Sequence, residues 1–282
     1  MADGTLAILA GGGALPRIIA NEAVAAGRSV HILAIEGSFG AWPDAPCAMT
    51  PVGMGQVGRI LETLRTYDCH EMAIAGSVVR PEIGKLKLDF GALINLPRLT
   101  GIMLGGDNHL LTTVVKFFEK RGIRVVGVDE VAPKLLAAEG ILGRIRPDAQ
   151  GLRDVSRGFE VARALGALDI GQAAVVDKGY VLAVEAAEGT DALLERVAEL
   201  RRKRNRLGGR RRGVLVKRVK PGQDRRVDLP TIGPRTVELA AAANLAGIGV
   251  HAGGVILLER EKVLQAANAA GLFMAGVSDG EP

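Results

Sequence analysis

Asp228 stands in Arg225-Arg226-Val227-Asp228-Leu229-Pro230-Thr231-Ile232-Gly233, a lone carboxylate just behind the most basic run of the chain. Proline fixes its own φ and restricts the residue before it, so Leu229-Pro230 stiffens the backbone next to the acid. A rigid mount suits a catalytic carboxylate; a surface loop without chemistry is the plain alternative. Upstream, Glu185, Glu188 and Asp191 place three acids within seven residues. Such a cluster beside a basic block suits Mg²⁺ holding a diphosphate, with Asp191 the first candidate ligand and Glu185 the second. Thr190 also reads as a helix N-cap and Asp191 as an acid matching the helix dipole. That capping accounts for Thr190 well and for three acids less well.

Two further stretches offer donors. Gly11-x-Gly13-x-x-Pro16 follows an apolar run, and Gly11, Gly12 and Gly13 form a tight turn whose backbone N–H groups could hold phosphate at a helix start. A dinucleotide fingerprint would have glycine where Pro16 stands, although Glu36, 23 residues past Gly13, lies where a ribose-binding acid would. A structural turn, phosphate or nucleotide contact and NAD binding all stay open here. In Ala75-Gly76-Ser77-Val78-Val79-Arg80-Pro81, Ser77 and Arg80 are suitable phosphate or sugar donors at a strand's carboxyl end; Arg80 capping a neighbouring element is the alternative. Gly105-Gly106 permits close backbone approach, and Asp107 or Asn108 reads as the N-cap of the helix that follows.

The elements that must position these residues fall into two halves. Apolar runs at 5–10, 29–35, 72–76 and 123–129 predict buried strands, and helical periodicity occupies 14–27, 56–65 and 108–121. That alternation implies a parallel sheet covered on both faces. Residues 134–150 mix Pro, Gly and charge without a period and read as a linker between a domain at 1–133 and another at 151–282. The second half predicts a helix at 153–166 and a hairpin over 173–186 turning at Lys178-Gly179. A helix from Asp191, a strand at 213–219 and a helix at 235–246 follow. Strands at 247–250 and 254–259, a helix at 260–270 and a last strand at 272–277 complete it. The fold class is therefore α/β, a parallel-sheet N-terminal domain plus a distinct mixed α/β C-terminal domain.

The chain has 282 residues and 48% hydrophobic content, enough for sizeable cores, yet only 3% aromatic residues. So few rings argue against a binder that stacks bases, and no nucleic-acid partner is expected. The net charge of +5 hides an asymmetry: residues 201–226 hold thirteen Lys/Arg against the single acid Asp224. A confined basic block points to an anionic partner such as phosphates or an acidic membrane surface, or to a solvated helix end. Residues 201–212 in particular suit anionic lipid. Two cysteines without a Cys-x-x-Cys, and four scattered histidines, argue against zinc and disulfides. No leader pattern and no long apolar run is present, so a cytoplasmic protein is expected, with peripheral contact on the inner-membrane face allowed.

Taken in order, the segments LAILAGGGALP, AGSVVRP, DIGQAAVV, EAAEGTDALLERV, RVDLPTIG and the closing AGI…LFMAGV resemble one family, the UDP-2,3-diacylglucosamine pyrophosphatases of lipid A biosynthesis. They span nearly the whole chain. The resemblance implies a Rossmann-like N-terminal domain, a separate catalytic C-terminal domain and a homodimer. It also implies hydrolysis of UDP-2,3-diacylglucosamine to 2,3-diacylglucosamine 1-phosphate (lipid X) and UMP with a divalent cation, usually Mg²⁺. The essential acid of the family belongs to its Val-Asp-Leu-Pro motif and maps to Asp228, as catalytic residue and metal ligand, with Asp191 as a second ligand. Gly11, Gly12, Gly13, Ser77, Arg80, Gln172, Gly189, Thr190, Arg226 and Thr231 are the implied substrate contacts. One departure is visible: relatives carry two acids after the paired glycines, whereas here Asp107 is followed by Asn108 and His109. An NAD-dependent oxidoreductase and a basic nucleic-acid-binding module are the rival readings.

Overall fold

Leu6–Ala10 (β1) is apolar at every position because both faces of the sheet around it are covered. In this computed structural model residues 4–78, 89, 107–203 and 210–278 are described, with the backbone alone at 107–110. Contacts divide the chain into two units, Met1–Pro133 with Arg226–Asp228, and Lys134–Arg225 with Leu229–Pro282.

In the first unit β1 leads to α1 (Leu15–Ala25), β2 (Val30–Ile35), β3 (Ala48–Val52), α2 (Val57–Thr66) and β4 (Glu71–Ala75). Then come α3 (Asp107–Glu119), β5 (Arg124–Val126) and the short α4 (Val128–Val131). The strands pair in the order β3-β2-β1-β4-β5, all parallel. Ala7, Leu9, Leu33 and Met72 pack with Ile60 and Leu64 of α2 and Val115 and Phe118 of α3. Helix α1 packs on β1, β2 and β4. Strand order reverses between β1 and β4, which makes the loops after these two strands the topological switch point. Strand β3 was not foreseen: Ala-Met-Thr-Pro-Val carries a proline, which belongs on a sheet edge, and β3 is such an edge.

His31 on β2 is 1% exposed, stacks on Tyr67 at 3.7 Å between ring centroids, and shares a 2.8 Å hydrogen bond between Nε2 and Thr50 Oγ1. Its Nδ1 is buried with no partner among the described residues. Burial pushes its pKa below 6.5, because the charged ring is poorly solvated there. The unfolded chain thus binds this proton more readily, so stability is full above about pH 6.5 and declines as pH falls through the lowered folded value. Thermal melting from pH 7 toward 5 is expected to show this decline, and His31→Phe to flatten it.

The second unit is a six-stranded mixed sheet, β6-β13-β11-β9-β7-β8, with a separate two-stranded pair, β10-β12. Its strands are β6 (Gly140–Ile141), β7 (Ala173–Asp177), β8 (Tyr180–Val184), β9 (Val214–Lys217), β10 (Thr231–Ile232), β11 (Gly247–His251), β12 (Ile256–Leu257) and β13 (Phe273–Val277). The helices are α5 (Ala149–Ala167), α6 (Gly189–Lys203), α7 (Pro234–Ala242) and α8 (Arg260–Ala269). Strand alternation sorts the two cores. Val214 and Val216 join Val155, Phe159 and Ala162 of α5, while Leu215 joins Leu193, Val197, Val237 and Val263 of α6, α7 and α8. Strands β9, β11 and β13 are parallel, so their carboxyl ends share one edge.

The stretch 134–150, expected as a linker, is built into this unit. Its β6 pairs antiparallel with β13, Ala137 N–H donates to Val255 O at 2.9 Å, and Asp148 caps α5. Its hydrogen bonds are made to distant partners, which leaves no local period to read. The strand expected at 254–259 shrinks to Ile256–Leu257. The basic run is also not a uniformly solvated face. Arg201 is 3% exposed and donates to Ala243 O, Asn244 O, Arg212 O and Asp177 Oδ2 at 2.7–3.1 Å. Arg212 pairs with the same Asp177 at 2.8 Å, and Arg211 reaches Ala241 O at 2.9 Å. Among the described residues no helix is long and apolar enough to cross a membrane.

Candidate active site

A buried lysine organises the edge where β9 ends. Ala173 of β7 lies opposite Lys217 in the antiparallel register, and Val250 of β11 opposite it in the parallel one. The start of β7, the end of β8 and the carboxyl ends of β9, β11 and β13 therefore meet here. Ligands characteristically bind beyond the carboxyl ends of parallel strands. Lys217, 7% exposed, donates from Nζ to Thr190 Oγ1 at 2.7 Å and to Thr231 O at 3.1 Å. Thr190 Oγ1 donates in turn to Glu185 Oε1 at 2.5 Å, and Glu185 Oε2 accepts from Gln172 N–H at 3.0 Å.

Gln172, Glu185, Thr190, Lys217 and Thr231 are thus one connected network, although they span sixty residues of sequence. Burial lowers the Lys217 pKa, opposed by the negative charges of Glu185 and Asp191. An ammonium has three donors, and among the described residues two of them are engaged. The Oε1 of Gln172 is buried without a hydrogen-bond partner among the described residues. Thr190 is not the helix cap the sequence suggested: α6 begins at Gly189, and the hydroxyl serves Lys217 and Glu185 instead. Gly189 takes φ +80, a left-handed conformation that favours glycine. Asp191, one residue on, has its side chain 57% exposed, with Arg235 Nε 4.0 Å away.

Asp228 is half-buried, and among the described residues no hydrogen bond or ion pair engages its carboxylate. Its tripeptide is well anchored. Val227 packs against the core of the first unit, and Arg226 pairs with Glu119 at 2.6 Å. Pro230 is buried, and its carbonyl accepts from Ile256 N–H at 2.9 Å.

At the switch point of the first unit the glycine loop closes on the loop after β4. Gly11 N–H donates to Ala75 O at 2.8 Å, Gly12 N–H to Ser77 O at 2.7 Å, and Ser77 N–H to Gly12 O at 3.0 Å. A Cβ on Gly11 would lie 2.5 Å from Ser77 O, and one on Gly76 2.6 Å from Gly12 O, so only glycine permits this approach. The N–H groups of Gly11 and Gly12 are therefore engaged within the protein. Gly13, at φ +90 and exposed, begins the stretch that opens toward α1, whose N-terminus has no side-chain cap. Ser77 is exposed beside it. Arg80 and the glycine pair 105–106 lie outside the described residues.

The structure thus gathers Gln172, Gly189, Thr190, Asp191 and Thr231 on the second unit, and Gly11, Gly12, Gly13 and Ser77 at the switch point of the first. It carries Arg226 and Asp228 on the anchored tripeptide. In the sequence Lys217 reads, together with Arg225, Arg226 and Lys220, as one of the cations that could supply a positive field to a diphosphate; its burial at a strand end is what distinguishes it from the rest of the basic run. One residue on this edge escapes the sequence. His251 ends β11 on the same edge, 8% exposed, and nothing in its spacing marks it.

Comparison with known proteins agrees with this division. Residues 5–135 match the family model of the LpxI N-terminal domain, and residues 138–275 that of the LpxI C-terminal domain. Over 280 residues, 98% of each chain, the sequence is 42% identical to the UDP-2,3-diacylglucosamine pyrophosphatase LpxI of Caulobacter vibrioides. With both domains matched in order and a relative of that identity along its whole length, the chain belongs to the LpxI family.

Proposed function

We propose that this protein hydrolyses the pyrophosphate bond of UDP-2,3-diacylglucosamine, giving 2,3-diacylglucosamine 1-phosphate and UMP. The observation that carries the mechanism is Asp228: a half-buried carboxylate without a partner among the described residues, between Val227 packed in a core and Pro230 held by Ile256. Buried polar groups left unpaired by the fold point to a ligand or to chemistry. A diphosphate resists attack because its oxygens are negative. Catalysis requires neutralising them and aligning water with the leaving group. Asp228 accepts the proton of that water or orients it. On the second unit Lys217, held by Thr190 and Thr231, has a third N–H without a partner among the described residues, which suits a fixed positive donor to a phosphate oxygen.

The donor set fits Mg²⁺ in one form only. Among the described residues no three His, Cys, Asp or Glu side chains gather into a ready-made cage. Glu185 is committed to Thr190 and Gln172. Asp228 and Asp191 each remain as single carboxylates, and Mg²⁺ is commonly held by one or two carboxylates together with substrate phosphates. Bound that way, the ion would neutralise phosphate oxygens.

Phosphorus NMR and UMP release from UDP-2,3-diacylglucosamine test the reading. Conversion should stop in excess EDTA and return with Mg²⁺, while melting stays unchanged, because the fold does not depend on the ion. Absence of UMP release by the folded protein with Mg²⁺ present would refute the function. The oxidoreductase reading loses its main support, since two of the three glycine N–H groups are engaged by Ala75 and Ser77.

A further inference from the structure

The turn that follows α5 displays two large aliphatic side chains beside the Lys217 edge. Leu168 is 71% exposed and Ile170 45%. Single exposed aliphatics are ordinary on protein surfaces; two on one rigid turn, next to a site for a lipid, are not. The turn is fixed by its own backbone: Leu168 N–H donates to Ala164 O, Asp169 N–H to Gly166 O, and Ile170 N–H to Leu165 O, at 3.0–3.3 Å. Gly166 lets the 220–221 turn close against it, since a Cβ there would lie 3.0 Å from Pro221 and 3.1 Å from the Lys220 Cα.

The one acid on the turn is neutralised. Asp169 pairs with Lys220 at 2.7 Å, so the tip carries no net charge of its own. Arg163, one turn back on α5, is exposed. The position is equally specific. Two residues after Ile170, Gln172 O accepts from Arg218 N–H at 3.0 Å, which ties the turn to the strand end bearing Lys217.

We infer that Leu168 and Ile170 form a membrane-contacting tip that dips into the acyl boundary of a bilayer and brings the Lys217 edge to lipid held there. This rests on the proposed function, whose substrate carries two acyl chains and resides in such a layer. A charge-neutral apolar tip flanked by a cation fits a lipid–water interface, where aliphatic side chains leave water and cations meet phosphate headgroups. The described part of the 201–212 run contributes less to such binding than its composition suggests, because Arg201, Arg211 and Arg212 are tied to Asp177 and backbone carbonyls.

The test uses the full-length protein with phosphatidylethanolamine vesicles containing a minor fraction of phosphatidylglycerol. The double variant Leu168→Ser, Ile170→Ser should co-sediment at least about tenfold less than wild type, the loss expected when two aliphatic side chains no longer leave water. Its hydrolysis of a short-acyl, water-soluble substrate should match wild type, while hydrolysis of vesicle-embedded substrate falls in step with binding. As a second reporter, Leu168→Trp should shift its emission to the blue on adding vesicles. Unchanged co-sedimentation and no emission shift would overturn the inference. So would a raised KM for the short-acyl substrate in the double variant, which would make the tip an acyl-chain pocket. A change in oligomeric mass would instead make it a protein contact, with the same result. If wild type binds vesicles through this tip yet releases no UMP, the proposed function fails and the tip stands.

Discussion

Asp228→Asn should abolish hydrolysis while leaving the protein folded. The substitution keeps size and shape, removes the charge, and takes away the base that accepts or orients the proton of water. General-base contributions are typically about 10²–10⁴-fold, and a group that also holds a cation adds to that. UMP release should fall by at least about a thousandfold, with KM changed far less, because the interaction matters most in the transition state. Melting temperature should hold or rise slightly. No protein partner of the Asp228 carboxylate is present among the described residues to be lost, and a half-buried charge disappears. Turnover within tenfold of wild type in the folded variant would remove Asp228 from the mechanism.

The second large effect concerns stability. Arg201 is buried and donates to the carbonyls of Ala243, Asn244 and Arg212 and to Asp177. It thereby ties the last turn of α6 to the end of α7 and to the strand entering β9. Arg201→Ala leaves Asp177, 4% exposed, with Arg212 as its remaining ion-pair partner among the described residues, and takes a donor from the buried Ala243 carbonyl and the half-buried Asn244 and Arg212 carbonyls. Removing one member of a buried pair costs about 3–5 kcal/mol. Urea unfolding should show a loss of that size, against an expected cost near zero for Arg202→Ala on the exposed face of the same helix. Equal, small effects at both positions would show that the buried network is dispensable.

How far the sequence discloses all this differs by element. The strands at β1, β2 and β7 are legible because uninterrupted apolar runs such as Leu-Ala-Ile-Leu-Ala admit no other placement between two covered faces. Asp228 is conspicuous because Leu229-Pro230 follows it, and Thr190 because it precedes a helix. The role of Thr190 is another matter: local sequence suggests a cap, while a lysine 27 residues away claims the hydroxyl. Lys217 looks like its neighbours in the basic run until burial separates it from them. Likewise the span 134–150 shows no local pattern, since its order comes from β13 and Val255, more than a hundred residues on.

After residue 225 the chain re-enters the first unit for three residues. Arg226–Asp228 groups with the first unit although 225 and 229 group with the second. A fragment ending at Pro133 would lack Val227, whose side chain packs against the core it leaves behind, and Arg226, which pairs with Glu119. Such a fragment should expose an apolar scar where Val227 sat. A synthetic peptide spanning the Val-Asp-Leu-Pro corner is the natural complement to restore it in trans.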